Sequence, residues 1–298
     1  MKALLKRGVL VMMMALLIMA VTACSSTKEE PAATTETTTE TTTEEAPAYP
    51  EDVQAIIDRG VLRVGVKNAV IGFGFQDPIT QTYTGLEIDL ATKIAEDLGV
   101  EVEFTPVTAA TRTELLDAGD IDMVAATFTI TDERKESWDF TTPYYTDYVT
   151  VLVEDASGIK ALSDMVDKVV GVSSGSTSAR SLVSAMVDAG LISGDNYSKD
   201  TFDAATWTEG VSFKQFDDYP TISTALSAGE VDAFCVDKSI LAVYHTEGRS
   251  YIEDKFAPQD YGIATKKDSG MSGLVETYVT GWLADGTIDS LIEANGLK

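Results

Sequence analysis

Arg134 stands five residues beyond Thr129 and seven beyond Thr127, at the end of an apolar run from Ile121 to Ala126. That run reads as a buried strand, and strand side chains alternate, so the two hydroxyls should share one side. A turn at Thr131 and Asp132 can fold the guanidinium back beside them. Its planar fork then suits a carboxylate, which it grips through two parallel charge-assisted bonds. The same residues also fit a surface arginine on a helix start capped by Thr131 or Asp132.

Other groups could complete such a site. A strand from Val169 to Val172 runs into Ser173, Ser174, Gly175, Ser176 and Thr177 before a helix from about Ala179, so backbone N–H groups converge on an anion site or on an ordinary Ser/Thr cap. The apolar run Val231 to Val236 delivers Asp237, whose carboxylate suits an ammonium group or caps a helix over Ser239 to Tyr244. Phe216 and Tyr219 lie close to that strand and either line the cleft or, the favoured reading, serve packing or loop structure. Lys67 and Arg112 offer two further cations, which point to solvent, pair with Glu87 or Asp89, or serve a second carboxylate. His245, the single histidine, sits in an expected helix amid polar residues and has no partners for base or metal chemistry, so no metal site and no cofactor are expected. GVKNAVIGFGF lacks the spacing of a phosphate loop.

The elements that must position these residues alternate. Val53 to Asp58 reads as a helix stopped by Gly60, and Val61 to Val66 as a strand interrupted by Arg63. Leu86, Leu90, Ile94 and Leu98 share one face of a helix over Gly85 to Leu98, Val100 to Phe104 is a strand, and Thr111 to Ala118 is a helix ended by Gly119. This βαβαβ order predicts an α/β fold with a parallel sheet flanked by helices. Ligands of open sheets sit at the carboxyl ends of the strands, where Lys67, Phe73, Arg112, Thr127 and Thr129 fall.

Ahead of these elements, residues 1–23 carry Lys2, Lys6 and Arg7, an apolar run from Val9 to Val21 and small residues before Cys24, as a secretory signal does. Residues 24–49 are Ser, Thr, Glu, Ala and Pro, a composition that forms a tether rather than a core. With Cys24 used elsewhere, Cys235 has no intrachain partner. The net charge of −26 excludes nucleic acid, whose binding needs basic patches. It does not exclude a local cationic pocket, since exposed charges are screened beyond about 8 Å.

Six ordered pieces together carry a resemblance: LRVGVK (62–67), GLEIDLATKIAEDLGV (85–100), GDIDMVAATFTITDERKESWDFTTPYY (119–145), GVSSGSTS (171–178), the GEVDAFCVDKSIL run ending at Leu241, and YGIATKK (261–267). The chain resembles the family 3 extracellular solute-binding proteins, which deliver polar amino acids to ABC importers. The lipobox-like Cys24 implies a lipid anchor to the cell membrane and an extracytoplasmic location. The resemblance implies a two-lobed periplasmic-binding-protein type II fold with two hinge crossings, near Thr146 to Val149 and Tyr261 to Ala264. Lobe 1 would be residues 50–146 plus 263–298 and lobe 2 residues 147–262, closing by hinge motion.

Carried over by position, Arg134 would hold the ligand α-carboxylate with Thr129 and Thr127 nearby. Thr177 and the backbone around Ser176 would hold it from the other lobe, Asp237 would meet the α-ammonium, and Phe73 would form an aromatic wall. The chain is most similar to the glutamate- and aspartate-binding branch, with Lys67 and Arg112 as partners of the second carboxylate. It departs from that branch in GSTSAR and in a longer segment over about 188–210 with Tyr197, Phe202 and Trp207. A non-catalytic, monomeric receptor that docks on a permease is expected. The alternatives are a glutamine or cystine binder and a dehydratase-like enzyme on the same fold.

Overall fold

The first lobe is built by short, sharply punctuated elements. Helix α1 (Glu51–Arg59) ends where Gly60 turns left-handed at φ 76°, and β1 (Val61–Val66) follows at once. Next come β2 (Ala69–Val70), β3 (Gly74–Gln76) and β4 (Tyr83–Thr84), then α2 (Leu86–Leu98), β5 (Glu101–Pro106), α3 (Thr111–Ala118), β6 (Met123–Ala125), α4 (Asp132–Ser137) and β7 (Trp138–Phe140). Leu62, Val64 and Val66 of β1 are fully buried with Leu86, Leu90 and Ile94 on the inner face of α2. Each such side chain contributes about 1.5–3 kcal/mol on leaving water. Arg63, on the other face of β1, pairs with Asp122 at 2.7 Å.

The computed structural model describes residues 49–298. The signal segment expected over 1–23, the lipidation expected at Cys24 and all but the last residue of the tether expected over 24–49 lie outside the described residues. The described residues fall within one compact unit.

From β7 the chain passes to the second lobe. There it forms β8 (Tyr145–Glu154), β9 (Lys168–Ser173), α5 (Ser178–Asp188), β10 (Val211–Phe216), α6 (Tyr219–Ser227), β11 (Ala233–Asp237), α7 (Lys238–Leu241), β12 (Arg249–Tyr251) and β13 (Phe256–Tyr261). It returns through Gly262 and Ile263 to β14 (Ala264–Lys266), α8 (Gly270–Ala284) and α9 (Thr287–Ala294). The first sheet has the order β5-β1-β6-β14-β7, the second β10-β9-β11-β8-β12 with β13 on β8, and β2-β3-β4 form a small third sheet.

The sheets are mixed, not parallel throughout. β1 pairs parallel with β5 and β6, but β14 is antiparallel to β6 and β7 because it re-enters the lobe from the far end. In the second lobe β9 is parallel to β10 and β11, whereas β8 runs antiparallel to β11. The helix expected over Ser239 to Tyr244 is limited to Lys238–Leu241. His245 therefore lies outside any helix, exposed, with its ring stacked on Tyr251 at 4.5 Å. Past Asp188, where α5 ends, the segment 189–210 has no regular element; Tyr197, Phe202 and Trp207 pack on one another within about 6 Å, and Phe202 on Phe213 of β10. Among the described residues no helix is long and apolar enough to cross a membrane.

Candidate functional site

The carboxyl ends of β1 and β6 face the second lobe, and they carry the cations. Strand β6 stops at Ala125, and Thr127 takes a left-handed φ of 43°. Glu87, fully buried at the start of α2, holds this kink: its Oε1 accepts from the Thr127 N–H and the Tyr144 hydroxyl, both at 2.5 Å. The expectation that strand alternation aligns Thr127 and Thr129 is corrected here. A kinked backbone brings them to one cavity, with Thr129 bridged to Tyr261 on β13.

The kink also turns two carbonyls toward Arg112. Its Nη1 donates to Ala126 O at 2.9 Å and Thr127 O at 3.2 Å, and the guanidinium lies 3.8 Å from the Phe128 ring centre. Arg112 is only 3% exposed and its Nε has no partner. Burial pushes its pKa down to about 10. Lys67, also 3% exposed, has its Nζ 3.5 Å from Val107 O, and burial followed by the Arg112 charge pushes it well below the usual lysine range. Arg134 follows α4's cap, where its N–H donates to the Thr131 hydroxyl. Its Nη1 donates to Thr129 O at 2.7 Å and its Nη2 to Gly175 O of the second lobe at 3.0 Å. Desolvation and the neighbouring Arg112 lower its pKa as well. A guanidinium has five N–H donors, so Arg134 keeps three beyond these bonds.

The facing lobe brings the Asp237 carboxylate to the site, with Asp147 of β8 buried behind it. Asp237 ends β11; its Oδ2 accepts from the Tyr261 hydroxyl at 2.5 Å, while Oδ1 is buried without a partner. Asp237 is 5% exposed, and burial raises its pKa to about 7 against the opposing effect of the Tyr261 hydrogen bond. The cost of that burial is offset by a proton or by a cation that reaches Oδ1.

Beside Asp237 the strand-to-helix turn from Ser173 to Thr177 closes against the first lobe. Gly175 has φ 74°, and a Cβ there would sit 2.8 Å from Ala109 O, so only glycine permits this approach. Ser176 Oγ is buried and unpartnered. Thr129 and Thr177, one from each lobe, both donate to Gln259 Oε1, at 2.8 and 2.7 Å. Arg180 meets Glu133 across the same seam at 2.7 Å. The lobes are thus closed on each other.

Arg112, Thr127, Thr129, Ser176, Thr177 and Asp237 line one enclosed cavity of about 10 Å³. Arg134, with Ser176 and Thr177, lines the neighbouring chamber of about 460 Å³ at the cleft mouth. Lys67 belongs to a third cavity of about 40 Å³. Phe73 is fully buried behind the site, edge-on to Tyr145 and Tyr261, and reaches none of the three. Among the described residues, neither Lys67 nor Arg112 nor Arg134 forms an ion pair, with Glu87, Asp89 or any other acid.

Three contributors escaped the sequence reading, Glu87 as a backbone clamp and Gln259 and Tyr261 from β13, while Tyr219, read as packing more than cleft lining, lines two of the cavities. Tyr219 alone carried a sequence signal, its closeness to the Asp237 strand. Groups that could bind a metal are not clustered among the described residues. Unpaired guanidinium donors on one wall and an unpaired carboxylate oxygen on the other suit the two ends of a small zwitterion, for which the closed cavity, with room for about one water, must widen.

The chain is similar to proteins already known. The pattern of the bacterial extracellular solute-binding proteins, family 3, matches residues 62–295. The chain is 31% identical over 249 residues to the ABC transporter glutamine-binding protein GlnH of Bacillus subtilis strain 168, covering 81% of this chain and 83% of that protein. It is 30% identical over 259 residues to the glutamate-binding protein GluB of Corynebacterium efficiens, covering 81% and 80%. Of solved structures, an ancestral arginine-binding protein bound to arginine superposes with a TM-score of 0.66 at 33% identity, covering 79% of this chain and 98% of that one. These relatives are named as binding proteins, not enzymes. The chain belongs to the family 3 bacterial extracellular solute-binding proteins.

Proposed function

We propose that the protein is the receptor of an amino-acid ABC importer and that its ligand is an acidic amino acid, glutamate or aspartate. The observation that carries this reading is the cationic wall of the first lobe: Lys67, Arg112 and Arg134 stand there without ion pairs, and Arg112 Nε and the facing Asp237 Oδ1 are both without a partner. A second ligand carboxylate gives Arg112 the anionic partner it lacks, beside the one that Arg134 takes, and the ligand ammonium gives Asp237 its own. A neutral side chain leaves Arg112 without that partner and a cationic one sets a like charge beside it, at several kcal/mol per uncompensated buried charge.

In this reading Arg134 receives the α-carboxylate through its remaining N–H donors, with Ser176 Oγ and the 175–177 backbone closing on it. The Thr129 and Thr177 hydroxyls, which donate to Gln259, hold the two lobes in register around it. Asp237 Oδ1 takes the ammonium. Arg112 receives the side-chain carboxylate, and Lys67 adds positive potential from the adjoining cavity. Closure of the lobes over the ligand presents the surface that a permease recognises, and a lipid at Cys24 keeps the receptor at the membrane.

The test is a thermal-unfolding screen of the purified protein against the twenty amino acids. A ligand bound only by the folded state raises the midpoint by mass action. Glutamate or aspartate should give the largest rise; a rise with arginine or glutamine and none with either acid would refute the acidic assignment.

A further inference from the structure

We propose that Tyr219 is the end wall of the side-chain pocket and sets the longest acidic side chain that the cleft accepts. This inference rests on the acidic-ligand reading above and adds a specificity-determining residue to it.

Tyr219 is the first residue of α6 and 7% exposed. Its ring stands between two cavities and lines both: the enclosed one shared with Arg112 and Asp237, and the adjoining one shared with Lys67. Lys67 Nζ lies 5.5 Å from the ring centre on that far side. Lys67 and Arg112 come from the first lobe and Tyr219 from the second, so the partition is made when the lobes close.

The wall is rigidly mounted. Asp218 caps α6 by accepting from the Thr221 N–H at 2.8 Å, Pro220 fixes the backbone of the first turn, and the ring leans on Phe234 of β11 with centroids 6.3 Å apart. A side-chain carboxylate entering beside Asp237 therefore meets Arg112 first. A longer acid must push through the ring to reach Lys67. Rejecting one extra methylene by such a wall is worth about 10- to 200-fold in affinity.

The experiment is calorimetric titration of the parent, Tyr219→Ala, Tyr219→Leu and Tyr219→Phe proteins with aspartate, glutamate and 2-aminoadipate, acids that differ by one methylene each. The Leu variant keeps apolar packing against Phe234 in case Ala impairs folding, and circular dichroism checks each variant. In the parent, affinity should drop at least about tenfold at the first acid too long for the pocket. Tyr219→Ala and Tyr219→Leu should move that cut-off by at least one methylene, and Tyr219→Phe, which keeps the ring, should restore it. Folded Ala and Leu variants with the parental ranking of the three acids would overturn the role of Tyr219. A parent that binds none of the three acids overturns the ligand assignment itself.

Discussion

The two walls of the cleft are built from opposite chemistry and held by opposite means. The first lobe brings Lys67, Arg112 and Arg134, each fixed by backbone carbonyls rather than by acids. The second brings the Asp237 carboxylate, fixed by a tyrosine hydroxyl that also reaches Asp147 behind it. Carbonyl dipoles orient a guanidinium without cancelling its charge, so the cationic wall stays available to an anion; an acid in the same place would have neutralised it. The comparison teaches that charge here is poised rather than paired, and that the ligand supplies the missing partners.

Removing the strongest cation breaks the comparison most severely. Arg134→Ala leaves an α-carboxylate desolvated and unpaired, a loss of about 3–5 kcal/mol, or two to four decades in Kd by titration calorimetry. Unchanged affinity would show that the carboxylate lies elsewhere. Arg112→Met sharpens the contrast between ligands: glutamate and aspartate should lose about 10- to 100-fold more affinity than glutamine and asparagine, the worth of a charge-assisted bond. An equal loss across all four would mean that Arg112 does not read the side chain.

The acidic wall is probed by pH. In the ligand-free protein Asp237 has its pKa raised from 3.8 to about 7. The folded state thus holds this proton more tightly than the unfolded chain. Asp237 contributes stability that is fully present below about pH 3.8, fades as pH rises, and is gone above about 7. An ammonium ligand requires the carboxylate, so below about pH 7 binding must release the proton, and affinity should fall up to about tenfold per pH unit. Ligand-induced thermal shifts should accordingly be larger at pH 8 than at pH 5.5, and a shift of the same size at both would remove Asp237 from the ammonium site. The smallest effect is expected at the seam. Glu133→Gln breaks the exposed pair with Arg180, worth about 0.2–1 kcal/mol, so affinity should change less than about fivefold.

What the sequence made legible follows from local physics. The α2 stripe of Leu86, Leu90, Ile94 and Leu98 and the stops at Gly60, Gly99 and Gly119 depend on neighbours in the chain, and they appear where periodicity and capping put them. The mixed sheet was not legible, because the direction of β14 is decided by a return from the other lobe. Gln259 and Tyr261 were hidden because they lie far from their partners in the chain, eighty-two residues from Thr177 and twenty-four from Asp237, and only the pairing of β13 with β8 within the second lobe brings them together. Thr127 shows the limit of pattern reading most clearly. Its hydroxyl was expected beside Thr129 by strand alternation, and it reaches the cavity instead through a left-handed kink clamped by Glu87, forty residues earlier.

The cationic wall also separates Lys67 from Arg112 in a way that spacing could not reveal. Both follow a short strand or open a helix at the same sheet edge, yet Tyr219 of the other lobe divides their cavities.

The most direct test of a cleft poised for two carboxylates and one ammonium is the ratio of glutamate to glutamine affinity in the parent protein, measured by calorimetry at pH 7.5 and fixed salt. The two ligands have the same length and differ by one charge. The account predicts that glutamate binds at least about tenfold more tightly, the equivalent of about 1.4 kcal/mol. Equal affinity, or tighter binding of glutamine, would contradict it.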